Sequence, residues 1–206
     1  MSHEKEWPQR RDREISMMGT STDILSRRKL LGAFAAVTMI PAAPHFAKAA
    51  SYNRGAGNIR KVNLRNQRTG ESLNTIYWIE GKYVEPALEE INYFMRDWRQ
   101  NAVRNMDRRN VDLIAATHNL LDTNEPFLVL SGYRTARTNN MLRGRSRGVA
   151  KSSYHIKGMA ADLRLGSRSV SQIAKAGLAC NSGGVGKYYR SNFVHLDCGP
   201  VRTWAG

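Results

Sequence analysis

From residue 60 onward the spacing of apolar side chains changes period several times, and each change marks a new element. Arg60-Lys61-Val62-Asn63-Leu64 alternates apolar with polar, and the stretch 73–79 leads into Glu80-Gly81-Lys82. This pattern predicts a first hairpin. Leu88, Ile91, Met95 and Trp98 then fall at helical spacing behind Glu85 and Pro86, which suit a helix start. The spacing predicts a helix to about Arg99. Val111, Ile114, Ala115, His118 and Leu121 repeat the pattern over a second helix, ended by residues 122–126. The apolar run 127–130 predicts a central strand that delivers Ser131-Gly132-Tyr133-Arg134 at its exit.

Residues 135–150 are rich in Arg, Asn and Gly, which predicts a short helix near 139–142 and an exposed loop bordering a cleft. Strands over 159–165, 185–189 and 193–197, with a helix over 169–179, complete the chain. The expectation is an α+β fold: a small antiparallel sheet with helices packed on one side, in a single domain. The whole chain of 206 residues is 41% hydrophobic, enough for one compact core, and a second independent domain is not expected.

The N-terminal part has a different logic. Ser26-Arg27-Arg28-Lys29-Leu30-Leu31 is a twin-arginine pair opening an apolar run, and Ala47-Lys48-Ala49 supplies a small-x-small cleavage site. Residues 1–49 are therefore expected to be a twin-arginine-type signal segment read by the Tat export machinery, with the domain over 50–206 delivered to the periplasm. The polar stretch before the arginines is long, and Met17 and Met18 are alternative starts. The apolar run, residues 30–43, is short for a membrane span, so no stable transmembrane anchor is expected. An oxidising compartment permits Cys180 and Cys198 to pair; two free buried thiols are the equal alternative.

The chemistry concentrates near the C-terminus. His155 and Asp162 lie in Ser153-Tyr154-His155-Ile156-Lys157-Gly158-Met159-Ala160-Ala161-Asp162, and His195 in Phe193-Val194-His195-Leu196-Asp197. Two imidazoles and a carboxylate form a ligand set that Zn2+ accepts, with a fourth position left for an attacking water. Asp162 and His195 fall on predicted strands and His155 on the loop entering one, so the three can converge. Arg134, at a strand exit, suits a substrate carboxylate or a developing oxyanion. Asp197 projects to the same strand face as His195, either as general base for the water or as a hydrogen-bonding orienter of the ligand, with the base slightly favoured. His118 sits among core-facing apolar positions and reads as structural.

These residues also carry a resemblance. Ser-x-His-x-x-Gly-x-Ala-x-Asp followed by Val-His-x-Asp resembles the D-alanyl-D-alanine metallopeptidase (LAS) group, and within it the murein endopeptidases. The likeness takes in Ser131-Gly132-Tyr133-Arg134-Thr135, Gly183-Gly184-Val185-Gly186 and the closing Gly199-Pro200-Val201-Arg202-Thr203-Trp204. It implies a zinc peptidase acting on peptidoglycan crosslinks, with Arg134 at the substrate. It also implies that Ser153 binds substrate, although Ser153 equally suits a cap on the loop holding His155. Two departures stand out. Relatives with Glu-x-x-His place glutamate where this chain has Asn192, and those with His-x-His place histidine where it has Phe193.

Charge narrows the partners. Of the formal +15, residues 1–49 hold eight basic and five acidic side chains, which leaves +12 on residues 50–206. That field attracts polyanions, but the basic residues are scattered and no nucleic-acid motif accompanies them, so no specific nucleic-acid partner is expected. An exported basic protein points to the anionic wall. A D-Ala-D-Ala carboxypeptidase and a noncatalytic cell-wall-binding module on the same fold are the alternatives.

Overall fold

The computed structural model describes residues 58–206 apart from Arg147. The expected signal segment, its cleavage site and most of the glycine-containing arm that follows lie outside the described residues. Those described form an eight-stranded sheet in the order β3-β2-β1-β4-β5-β7-β6-β8. Its strands are β1 (Ile59–Asn66), β2 (Ser72–Ile79), β3 (Lys82–Tyr83), β4 (Phe127–Ser131), β5 (Ala160–Arg164), β6 (Gly184–Tyr188), β7 (Phe193–Asp197) and β8 (Arg202–Ala205). The helices are α1 (Glu85–Phe94), α2 (Arg108–Leu120), α3 (Ala136–Arg145) and α4 (Val170–Ala179), and Tyr154–Lys157 form one 3-10 turn.

The class is α+β as expected, but the sheet is larger than a small antiparallel one. It is also mixed, because β1 pairs parallel with β4 and β6 parallel with β8. Both parallel pairs join strands that are not consecutive in the chain, which local periodicity does not register. Among the described residues no helix is long and apolar enough to cross a membrane.

Strand alternation divides the sheet into two chemically different faces. Ala161, Leu163, Val185, Val194 and Leu196 join one buried apolar cluster with residues of α1, α2 and α4. Those helices lie against β1, β2, β6 and β7. Successive strand residues point to opposite faces, so the intervening Asp162, His195 and Asp197 share the other side of the sheet. Burying each aliphatic side chain of the core stabilises the fold by roughly 1.5–3 kcal/mol, and this layer fixes the strands that carry the polar groups.

Helix α1 ends at Phe94, five residues before the expected end. Continuation is lost because the groups that follow are spent elsewhere. The Met95 carbonyl accepts from Tyr133 N at 2.8 Å, and Asp97 Oδ2 accepts from the amide and hydroxyl of Thr135. Trp98 consequently lies in a turn closed by an Asp97–Ala102 bridge. A Cβ on Gly132 would come within 2.5 Å of the Met95 carbonyl, so glycine is what lets the two backbones meet. These contacts hold the exit of β4, and Arg134 with it. Helix α3 is longer than the short helix expected, and Thr135 caps it by accepting from Thr138 N.

Cys180 and Cys198 are both buried and both free. Cys180 donates to the Ala176 carbonyl near Thr117, whereas Cys198 lies beside Asp107 and Arg109. Burial and the neighbouring Asp107 push the Cys198 thiol up to about 12. His118 behaves as a structural group: its Nε2 meets the Glu125 carbonyl at 2.7 Å and its ring stands edge-on to Phe127.

Candidate metal centre

Three elements bring the site together. His155 sits in the 3-10 turn, where the Ser153 hydroxyl accepts from its amide at 3.3 Å. Gly158 ends that turn at φ +71, and a Cβ there would come within 2.6 Å of the Asn105 carbonyl. Only glycine adopts this conformation in so tight a space without strain. Asp162 on β5 and His195 on β7 are direct cross-strand partners. Arg134 reaches the site from the loop after β4, its amide bonded to the His155 carbonyl at 3.2 Å.

The three ligand atoms sit at the corners of a small triangle. His155 Nε2 lies 3.2 Å from Asp162 Oδ1, His195 Nδ1 lies 2.9 Å from the same oxygen, and the two nitrogens are 3.2 Å apart. The remaining ring nitrogens determine what these atoms are. His155 Nδ1 lies 2.7 Å from the Gly132 carbonyl, an acceptor only, so it carries the proton and leaves a lone pair on Nε2. His195 Nε2 lies 3.0 Å from Asp197 Oδ2 and carries a proton likewise, leaving the lone pair of the neutral ring on Nδ1.

Three lone-pair atoms thus face one another, an arrangement that repels unless a cation or proton sits among them. Zinc bonds of about 2.0–2.1 Å in a tetrahedron imply donor separations of about 3.3 Å, so the residues present fit such an ion. His155, Asp162 and His195 form the group suited to a metal among the described residues.

Electrostatics shows the same competition. Burial by itself lowers the His195 pKa, but hydrogen bonds with Asp162 and Asp197 outweigh it and push it up to about 9. Burial by itself raises Asp162, yet the two imidazoles hold it well below the usual carboxylate range. Fully buried His155 is lowered, chiefly by desolvation.

Asp197 is also fully buried, and its oxygens are heavily subscribed. Oδ2 accepts from His195 Nε2 and from Arg202 Nη2 at 2.7 Å; Oδ1 accepts from Gly199 N at 2.9 Å and Arg202 Nη1 at 3.0 Å. Burial alone raises its pKa, but the bonds from His195 and Arg202 hold it down at about 2. The structure thus sets Asp197 behind His195, on the ring nitrogen that faces away from Asp162.

Arg134 is mostly buried, with Nη2 3.9 Å from Asp162 Oδ2. Its Nε has no hydrogen-bond partner among the described residues, and burial lowers its pKa. A cleft of about 390 Å³ opens over these groups. The loop expected to border it does so through residues 148–150, and Ser153 lines it while capping the turn.

Tyr154, Tyr188, Phe193, Arg202 and Trp204 form the aromatic and cationic walls of this cleft, for which apolar periodicity gives no signal. Tyr188 and Phe193 stack with centroids 4.4 Å apart, and Trp204 Nε1 donates to the Tyr188 hydroxyl at 3.1 Å. Arg202 and Trp204 belong to β8, too short to signal itself by alternation. The closing Gly-Pro-Val-Arg-Thr-Trp motif was the trace that marked it.

Comparison with known proteins gives the family. The model of the family described as peptidoglycan L,D-endopeptidase MepK matches residues 54–204. The chain is 42% identical over 181 residues to the peptidoglycan L,D-endopeptidase MepK of Escherichia coli (strain K12), a match covering 87% of this chain and 97% of that protein. It is 40% identical over 151 residues to a probable peptidoglycan L,D-endopeptidase MepK of Haemophilus influenzae, covering 71% of this chain and 80% of the relative.

Proposed function

Because the chain belongs to the peptidoglycan L,D-endopeptidase MepK family, we propose that it hydrolyses L,D-type peptide crosslinks of peptidoglycan at the His155–Asp162–His195 centre, with zinc as its metal. The observation that carries this reading is the triangle of lone-pair atoms 2.9–3.2 Å apart at the base of a cleft. His155, Asp162 and His195 would hold the ion, which would supply Lewis acidity and the means to lower the pKa of a water to about 7.

The protein's own groups do the rest. Arg134, with an unpartnered buried Nε, is read as the donor to charge developing on the scissile carbonyl or to a substrate carboxylate. Asp197 is read as the orienter of His195 rather than the general base, since its two oxygens are already held by donors and the His195 ring stands between it and Asp162. Ser153 places His155 through its cap, and its position on the cleft wall supports a contact with substrate as well. The aromatic wall of Tyr188, Phe193 and Trp204 supplies apolar surface for the body of the stem peptide.

The remaining assignments concern delivery. Residues 1–49 are read as a twin-arginine signal that would carry residues 50–206, folded and metal-loaded, to the periplasm, where peptidoglycan is the partner.

Digestion of isolated sacculi and defined crosslinked muropeptides, read by mass spectrometry, tests the function. Separation of L,D-linked stems, abolished by chelation and restored by zinc, is expected. Loss of a terminal alanine without separation of stems would make the protein a carboxypeptidase. Wall binding without any cleavage would make it a noncatalytic module.

A further inference from the structure

Resting on the metal reading of the site, we propose that Arg202 is a positioning residue for metal binding, which fixes the His195 ring through Asp197. The fork is complete, since Nη1 meets Oδ1 at 3.0 Å and Nη2 meets Oδ2 at 2.7 Å, so both carboxylate oxygens are fixed in plane. Asp197 in turn passes Oδ2 to His195 Nε2 at 3.0 Å, and the opposite ring nitrogen faces Asp162. The chain Arg202–Asp197–His195 therefore sets both the tautomer and the aim of one ligand.

The surroundings are shaped for this guanidinium. It lies over the rings of Tyr154 at 5.1 Å and Trp204 at 4.8 Å, and Nη1 also donates to the Pro200 carbonyl. A Cβ on Gly184 would collide with Arg202 Nη1 and with Asp197 Oδ2, while one on Gly199 would come within 2.6 Å of the Tyr154 ring. Two glycines and two aromatic rings thus line the place that the part-exposed guanidinium takes against Asp197. Lysine carries the same charge but presents a single ammonium, which cannot hold both oxygens of Asp197 in plane.

Zinc titration of the apoprotein against a chromophoric chelator tests this, alongside thermal unfolding of the same apoproteins. Arg202→Ala is expected to weaken zinc binding by about 10–100-fold, the usual effect of removing a group that orients a ligand. Arg202→Lys is expected to weaken it as well, and it carries the test if the alanine variant does not fold. A role through Asp197 also requires non-additivity: Arg202→Ala combined with Asp197→Asn should bind zinc no more weakly than Asp197→Asn alone. Wild-type zinc affinity in folded Arg202→Ala or Arg202→Lys, or additive losses in the double variant, overturns the proposal while leaving the site intact. A folded wild type that takes up no zinc overturns the metal reading itself, and this proposal with it.

Discussion

The structure holds two inward-facing carboxylates, Asp112 and Asp162, each gathered into a polar cluster, and the two clusters are opposite in electrostatic construction. Asp112, on α2, receives Arg60 Nη1 at 2.7 Å, the Tyr77 hydroxyl at 2.9 Å and the Tyr83 hydroxyl at 2.8 Å. Every contact pairs a donor with an acceptor, and the anion offsets the Arg60 cation. Burial and Asp112 together raise the pKa of both tyrosines, so each stays a donor. Asp162 instead faces two imidazole nitrogens whose partner N–H groups are already committed to Gly132 and Asp197. Burial alone does not distinguish structure from function here. Whether the polar atoms satisfy one another does: the Asp112 cluster is closed, and the Asp162 cluster calls for a cation.

The strongest way to break this contrast is to remove the two acids in turn. Asp162→Ala should abolish zinc retention and hydrolysis together while the apoprotein remains folded, as read by metal analysis and circular dichroism. Asp112→Ala should do the reverse, costing about 3–5 kcal/mol because Arg60 loses a buried ion-pair partner. Urea unfolding would show that cost, with zinc affinity unchanged. Equal effects of both substitutions on folding would erase the distinction.

A finer test separates the metal from its neighbours. Arg134→Ala should keep full zinc content yet lower kcat by about 10²–10³-fold, as expected when a preorganised donor to developing charge is removed. Wild-type turnover would return Arg134 to the role of a buried structural cation.

The smallest expected effect concerns acid stability. Burial raises the Asp97 pKa, but the nearby Thr138 hydroxyl and the hydrogen bonds from Thr135 and the Arg99 amide outweigh it, so the carboxyl titrates below its ordinary value. Its stabilisation is therefore present above the unfolded-state value, about 3.9, and is lost as pH falls through the lower folded one. Asp97→Asn should flatten the acid side of a plot of Tm against pH, and parallel curves for variant and wild type would remove Asp97 from the account.

Much of this was legible in the residues, and what was hidden has identifiable causes. Alternation placed Asp162 and His195 on strands, and the structure pairs them across β5 and β7. The same alternation puts Asp197 on the strand face of His195, but it carries no information about Arg202, which arrives from a strand of only four residues and occupies both Asp197 oxygens. Arg60 counted as a polar position, yet it points inward with Val62 and Leu64, because Asp112 comes from a helix some fifty residues away. The early end of α1 was invisible for a related reason: its following carbonyl and acid bond to residues 133–135, a contact that intrinsic helical spacing cannot anticipate.

X-ray absorption spectroscopy of the zinc-loaded protein tests the central claim most directly. The account predicts an inner shell of nitrogen and oxygen at about 2.0–2.1 Å with imidazole scattering and no sulfur. A sulfur shell at about 2.3 Å, which would enlist Cys180 or Cys198, or a folded protein that binds no zinc, would contradict it.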